Sequence, residues 1–191
     1  MIKTWEELEI ACKRCTRCEL MKTRNNVVFG RGNKESKVLL VGEGPGQQED
    51  MQGKPFVGRA GNLLDTLLCA MELSENDIYI ANIVKCRPPA NRVPTRQEAE
   101  ICINYLRNQV YLQNPKIIVC LGNTASKYII SEDVQITKIR GNWITKKNVL
   151  IMPTYHPAAL LRDASKKMPF WEDFKKVKLK MDELGILQKQ E

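Results

Sequence analysis

The stretch from Lys37 to Gly61, KVLLVGEGPGQQEDMQGKPFVGRAG, constrains the fold more than any other part of the chain. Val38-Leu39-Leu40-Val41 is an unbroken apolar run, and a strand without a polar face is one covered on both sides, as in a parallel sheet. The turn after it, Gly42-Glu43-Gly44-Pro45-Gly46, therefore stands at a strand's carboxyl end, where open α/β sheets bring backbone amides close to ligands. A nucleotide loop is excluded by its details. A Walker loop ends in Gly-Lys-Ser/Thr, a dinucleotide fingerprint needs a third glycine where Gln47 stands, and Pro45 removes one amide donor. An ordinary strand-to-helix turn accounts for Gly42 and Gly46 but not for Glu43, Glu49 and Asp50 clustered around them.

The rest of the chain alternates the two periodicities. Thr4 and Glu7 have the spacing of a capping box, predicting a helix from Trp5 to about Cys12. Leu63, Leu64, Leu67, Leu68 and Met71 recur at helical spacing, and Thr95 with Glu98 opens another helix that Pro115 ends. A short helix runs from Gly122 through Ile130, and Trp171, Phe174, Val177, Met181 and Leu184 mark a closing helix stopped by Gly185. Ile78 to Val84 and Ile117 to Leu121 read as strands, and Ile136 to Pro153 as two more around Lys146-Lys147-Asn148. Residues 22–37 are expected to wrap the domain without regular structure. The alternation predicts an α/β sandwich around a small, mostly parallel sheet, with residues 1–191 as a single domain.

Three strand ends then carry unusual residues: Glu43 with Glu49, Asn82, and His156, which is the chain's single histidine. Asn82 interrupts an apolar strand, and a polar side chain there needs a partner. Seven cysteines are an odd number, better read as metal ligands or core residues than as disulfides. Cys15-x-x-Cys18, Cys86 past the second strand and Cys102 on the next helix offer four thiolates that suit structural zinc or an iron–sulfur cluster equally. Cys12 is either a spare or a competitor for the CxxC role, while Cys69 and Cys120 read as core thiols. No window of about 18 apolar residues exists and no secretory pattern opens the chain, so an intracellular, cytoplasmic protein without a membrane partner is expected. A net charge of +8 favours a polyanionic partner.

Four motifs together resemble the family 4, thermostable-type uracil-DNA glycosylases: Gly42-Glu43-Gly44-Pro45-Gly46 with Glu49-Asp50, Phe56-Val57-Gly58-Arg59-Ala60-Gly61, Asn82 to Pro89, and His156 to Arg162. The resemblance implies a three-layer α/β/α sandwich with a central four-stranded, mostly parallel sheet. It also implies a [4Fe–4S] cluster on Cys15, Cys18, Cys86 and Cys102. Its activity would be hydrolysis of the N-glycosidic bond of uracil flipped out of single- or double-stranded DNA, by a monomer. In that reading Gly42, Glu43, Gly44 and Glu49 surround the base, and Phe56 stacks on it. The Asn82 amide reads N3–H and O4, and His156 donates to O2 as charge develops. Glu49 crowds C5 against thymine's methyl. Leu160 or Leu161 is the wedge in the duplex, with Arg162 on a phosphate. The main branch of these enzymes places a water-orienting aspartate where this chain has Gly44, which makes Glu43 the substitute.

Two other readings fit less well. A uracil-binding relative traps the sugar through a histidine in a loop before the position of Pro94, but Asn91-Arg92-Val93-Pro94 is short and lacks one. A cluster-bearing DNA-binding module without chemistry leaves Asn82 and His156 unexplained.

Overall fold

Both faces of the Val38–Val41 run are covered, as an unbroken apolar strand requires. The computed structural model describes residues 4–187. In chain order they form α1 (Trp5–Lys13), β1 (Arg31–Gly32), β2 (Val38–Gly42), α2 (Gln47–Gln52), α3 (Arg59–Cys69), β3 (Tyr79–Asn82) and α4 (Arg96–Gln113). Then follow β4 (Ile117–Leu121), α5 (Asn123–Ile129), α6 (Ile136–Ile139), β5 (Ile144–Lys146), β6 (Val149–Thr154), α7 (Pro157–Arg162) and α8 (Lys167–Glu183).

The sheet has the order β1-β3-β2-β4-β6-β5. Its four inner strands are mutually parallel and its two edge strands run antiparallel to their neighbours. The parallel core matches the expected four strands; the edges are additions. β1 is only two residues long, pairing Arg31 with Ile80 and Gly32 with Tyr79, so residues 22–37 are not wholly irregular. Two residues carry no readable alternation, and the pairing comes from the neighbouring strand. Ile136–Ile139 likewise forms a helical turn where a strand was expected, leaving β5 only Ile144–Lys146.

Alternation along each strand separates two cores. Leu39, Val41, Tyr79, Ala81, Ile118 and Cys120 face α1, α4 and α5, whereas Val38, Leu40, Ile80, Ile117, Val119 and Met152 face α3, α7 and α8. Each such fully buried aliphatic side chain contributes about 1.5–3 kcal/mol through loss of apolar surface from water. Both predicted capping boxes are present, Thr4 with Glu7 and Thr95 with Glu98. On α8 the buried stripe is Phe170, Phe174, Val177 and Met181. Leu184 lies past the helix end and is exposed, so it leaves the stripe that its spacing suggested. Cys69 is also exposed, not a core thiol. It follows Leu68 by one residue, a rotation of about 100° that carries it off the Leu64–Leu68 face.

Candidate active site

All four parallel strands end at one pocket. Glu43 follows β2, Asn82 closes β3, Gly122 follows β4, and His156 lies two residues past β6; each of them lines the pocket. This is the carboxyl edge of the parallel strands, the place where such sheets bind ligands. Gly44, Glu49, Phe56 and Arg162 line the same pocket.

Absent side chains shape the floor. A Cβ on Gly42 would overlap Asn82 Oδ1 and come within 2.8 Å of the Phe56 ring, so glycine is what lets the amide and the ring converge. Phe56 stacks on His156 with ring centroids 5.5 Å apart and planes at 28°. Its backbone lies in the left-handed region at φ +54°, a conformation that costs a non-glycine residue about 1–3 kcal/mol unless its surroundings hold it. They do so from three sides. A Cβ on Gly61 would overlap the Phe56 carbonyl, which lets α3 pack directly on that peptide. Arg31 donates to the Phe56 carbonyl at 3.3 Å. Glu49 accepts from the amides of Val57 at 3.0 Å and Gly58 at 2.8 Å with one oxygen, and from Gly46 at 3.0 Å with the other. Glu49 therefore ties the two glycine loops together, a role its position in the sequence did not reveal. Asp50 is fully buried and accepts from the amides of Asn25 at 2.9 Å and Asn26 at 3.3 Å. It anchors that segment and does not line the pocket.

Asn82 is 2% exposed, yet its Oδ1 has no hydrogen-bond partner among the described residues. Leaving a buried polar atom unpaired costs about 1–3 kcal/mol, so its presence calls for an occupant that supplies the missing donor. The backbone here is held independently: the Lys85 ammonium donates to the Asn82 carbonyl at 2.9 Å and to Gln109 Oε1 at 2.6 Å.

His156 is the N-cap of α7, and its Nδ1 accepts from the Ala158 amide at 3.1 Å. An accepting Nδ1 leaves the proton of the neutral ring on Nε2. Burial, reinforced by the Arg162 charge, pushes the imidazole pKa down to about 4, so the ring is a neutral donor at pH 7. Gly122, at φ +92°, permits the contact beneath it, since a Cβ there would lie 2.9 Å from His156 Cβ. The Thr124 hydroxyl donates to Glu43 Oε2 and fixes that carboxylate. Nothing local in the sequence marks Thr124; only a sheet that sets β4 beside β2 brings the two together. On α7, Leu160 is buried in the core and Leu161 is 43% exposed, so of the two leucines only Leu161 presents its side chain to a partner.

A second cavity lies beside α1 and α4. Cys12, Cys15, Cys18, Cys86 and Cys102 line it together with Arg17, Arg24, Lys85 and Tyr105, and among the described residues no carboxylate does. The four cysteines expected to act together are thus brought together, with Cys12 as a fifth. Arg24 Nη1 donates to Cys86 Sγ at 3.3 Å, and the Lys85 amide to Cys102 Sγ at 3.2 Å. Burial raises the Cys15 thiol pKa, but hydrogen bonds from Tyr105 and Arg17 outweigh it and the net direction is down. Burial pushes Cys102 up to about 11 and Cys12 up to about 12. Among the described residues no three His, Cys, Asp or Glu side chains are arranged to hold one metal ion. The thiols instead stand around a shared space, with hydrogen-bond donors aimed at sulfur.

The glycine turn, the buried amide and the neutral histidine at the ends of parallel strands define the class. Residues 29–176 match the model of the uracil DNA glycosylase superfamily, and the chain belongs to that superfamily, within its type-4 group. A type-4 uracil-DNA glycosylase of Thermotoga maritima is 46% identical over 172 residues, covering 87% of this chain and 88% of that protein. The type-4 uracil-DNA glycosylase of Archaeoglobus fulgidus is 41% identical, covering 85% of this chain and 86% of that protein. A type-5 uracil-DNA glycosylase of Pyrobaculum aerophilum is 28% identical over 68% of this chain and 64% of that protein. No helix among the described residues is long and apolar enough to cross a membrane.

Proposed function

We propose that the protein removes uracil from DNA by hydrolysing the N-glycosidic bond, leaving an intact abasic strand. The observation that carries this reading is the unpaired Oδ1 of buried Asn82, set beside the Phe56 ring and lining the same pocket as His156. Uracil offers N3–H to that oxygen and O4 to the amide nitrogen, whereas cytosine presents the reverse pattern. Phe56 stacks on the flipped base. His156 donates from Nε2 to O2 as negative charge develops there; being neutral, it stabilises that charge as a preorganised donor without giving up its proton. Glu43, held by Thr124, orients the attacking water. Glu49 narrows the pocket at C5 while it clips the loops. Leu161 enters the gap left in the duplex, and Arg162 meets a phosphate. Among the described residues no lysine or cysteine lines the pocket, which supports direct attack by water over a covalent intermediate.

The cysteine cavity fits a [4Fe–4S] cluster held by Cys15, Cys18, Cys86 and Cys102. In support, these four thiols share a space with Arg17, Arg24 and Lys85, whose charges no lining carboxylate among the described residues meets; a cluster on four thiolates is anionic. Cys12 is buried to 1% exposure, and burial holds it as a neutral thiol. When bound, the cluster supplies a rigid cross-link between the N-terminal segment, the turn after β3 and α4.

The test is incubation with single strands carrying one uracil, with thymine and cytosine strands as controls. Free uracil and an alkali-labile site are expected, with no borohydride-trapped adduct and no scission before alkali. Absence of uracil release overturns the assignment; a trapped adduct overturns direct hydrolysis. Iron and sulfide analysis of anaerobically purified protein tests the cluster, and stoichiometric zinc without iron overturns it.

A further inference from the structure

Lys85 is 1% exposed, and its ammonium has two hydrogen-bond partners, the Asn82 carbonyl and Gln109 Oε1, both neutral. A buried charge is ordinarily paired, because leaving water without a counter-ion is costly. No Asp or Glu forms an ion pair with it among the described residues, and the nearby ionisable groups that act on it are Cys12 and Cys102. Its own backbone amide donates to Cys102 Sγ. Lys85 thus lines the thiol cavity and donates its amide to a cavity sulfur, while its ammonium grips the carbonyl of the base-reading residue. Gln109 secures the other side of the ammonium, donating in turn to the Phe29 carbonyl at 2.9 Å and to Tyr79 Oη at 3.3 Å.

We propose that Lys85 is the buried counter-ion of the cluster and also the strut that transmits its presence to Asn82. This rests on the cluster reading above. A cluster seated on the four thiolates supplies the negative charge that keeps the Lys85 ammonium buried, and a buried ammonium keeps the Asn82 carbonyl, and with it the side-chain amide, in place. Without the cluster the ammonium has only neutral partners, and the end of β3 loses its clamp. Lys85 is a positioning residue; it touches neither the base nor the sugar.

The experiment compares cluster-loaded wild type with Lys85→Met and Lys85→Arg. In Lys85→Met, loss of the visible band on adding a chelator is expected to be at least about tenfold faster, since a missing charge of about 1.4 kcal/mol is one decade. Removing a nearby positive charge is also expected to move the cluster's reduction potential to a more negative value, and Lys85→Arg to restore much of it. A purely steric role would leave the potential unmoved. Wild-type bleaching and potential in Lys85→Met, with iron and sulfide at wild-type content, overturn the counter-ion role while leaving the cluster reading intact. Absence of iron and sulfide from wild type overturns both. The strut is read in the wild-type protein itself, so it does not depend on the variant folding. Amide exchange over residues 79–84 is expected to rise at least about tenfold on extraction of the cluster, with residues 150–154 unchanged; unchanged exchange over 79–84 overturns the strut.

Discussion

The base pocket and the cysteine cavity are completed by different means. The pocket is finished by the chain alone: Gly42, Gly61 and Gly122 admit contacts that a Cβ would forbid, and His156 and Phe56 are already stacked. Its one buried side-chain atom without a partner among the described residues is neutral, the Oδ1 of Asn82. The cavity gathers Arg17, Arg24 and Lys85 around thiols, with no lining carboxylate among the described residues. A neutral orphan acceptor suits a ligand that comes and goes, held by hydrogen bonds. Uncompensated cations around sulfur suit a resident anion. The contrast teaches that unmatched polarity on a folded chain has a sign and a size, and that these tell a substrate site from a cofactor site.

The sharpest break of this contrast is His156→Ala. Loss of a preorganised donor is expected to slow single-turnover cleavage by about 10²–10³-fold while strand binding and the visible band persist. A variant cleaving at the wild-type rate removes the histidine from the chemistry. In the wild type His156 should impose no titration on the rate from pH 8 down to about pH 5, because its folded pKa lies near 4. Its contribution to stability follows the same shift. It is full above the ordinary histidine value of about 6.5, and declines as pH falls towards 4, because the unfolded chain takes up the proton first. Acid titrations of wild type and His156→Ala check that sign.

Gly42→Ala attacks the preformed geometry without altering any functional group. The added methyl displaces Asn82 or Phe56, and misplacement of about 1 Å is expected to lower the rate by about 10²-fold, read with iron content unchanged. Retention of full activity would show that the pocket tolerates rearrangement. Asn82→Asp keeps the acceptor and removes the amide donor beside it: an ionised aspartate cannot donate to O4, and a lost bidentate match costs about 1–3 kcal/mol of base discrimination. Competition between uracil and cytosine strands measures it, and an unchanged preference places base reading elsewhere. The smallest effect belongs to Cys69→Ser. An exposed thiol outside the cavity should alter neither the iron content nor, by more than about 0.5 kcal/mol, the free energy of unfolding, and loss of iron would draw Cys69 into the proposed cluster site.

What the sequence disclosed follows from how local each feature is. The unbroken run at Val38, both capping boxes and the misfit of Asn82 in an apolar strand are written in neighbouring residues, and all of them are present in the fold. Cys69 was misplaced because a cysteine beside a leucine stripe reads as part of it until the helix is phased. Leu160 and Leu161 could not be separated for the same reason, since α7 is six residues long. The edge pairing of β1 and the Thr124 contact with Glu43 depend on residues far apart in the chain. No spacing rule anticipates them.

The strand order also sets a timetable. β2, the first strand of the parallel core, lies inside the sheet; β3 joins it on one side, β4 on the other, and β6 outside β4. As the chain leaves the ribosome the parallel sheet can therefore grow outward in the order in which its strands are made, without displacing one already paired. Every cysteine of the cavity has been made by residue 102, before β4 begins, whereas the pocket waits for residue 156. The nascent chain thus carries all five cysteines of the cavity before it carries the histidine of the pocket.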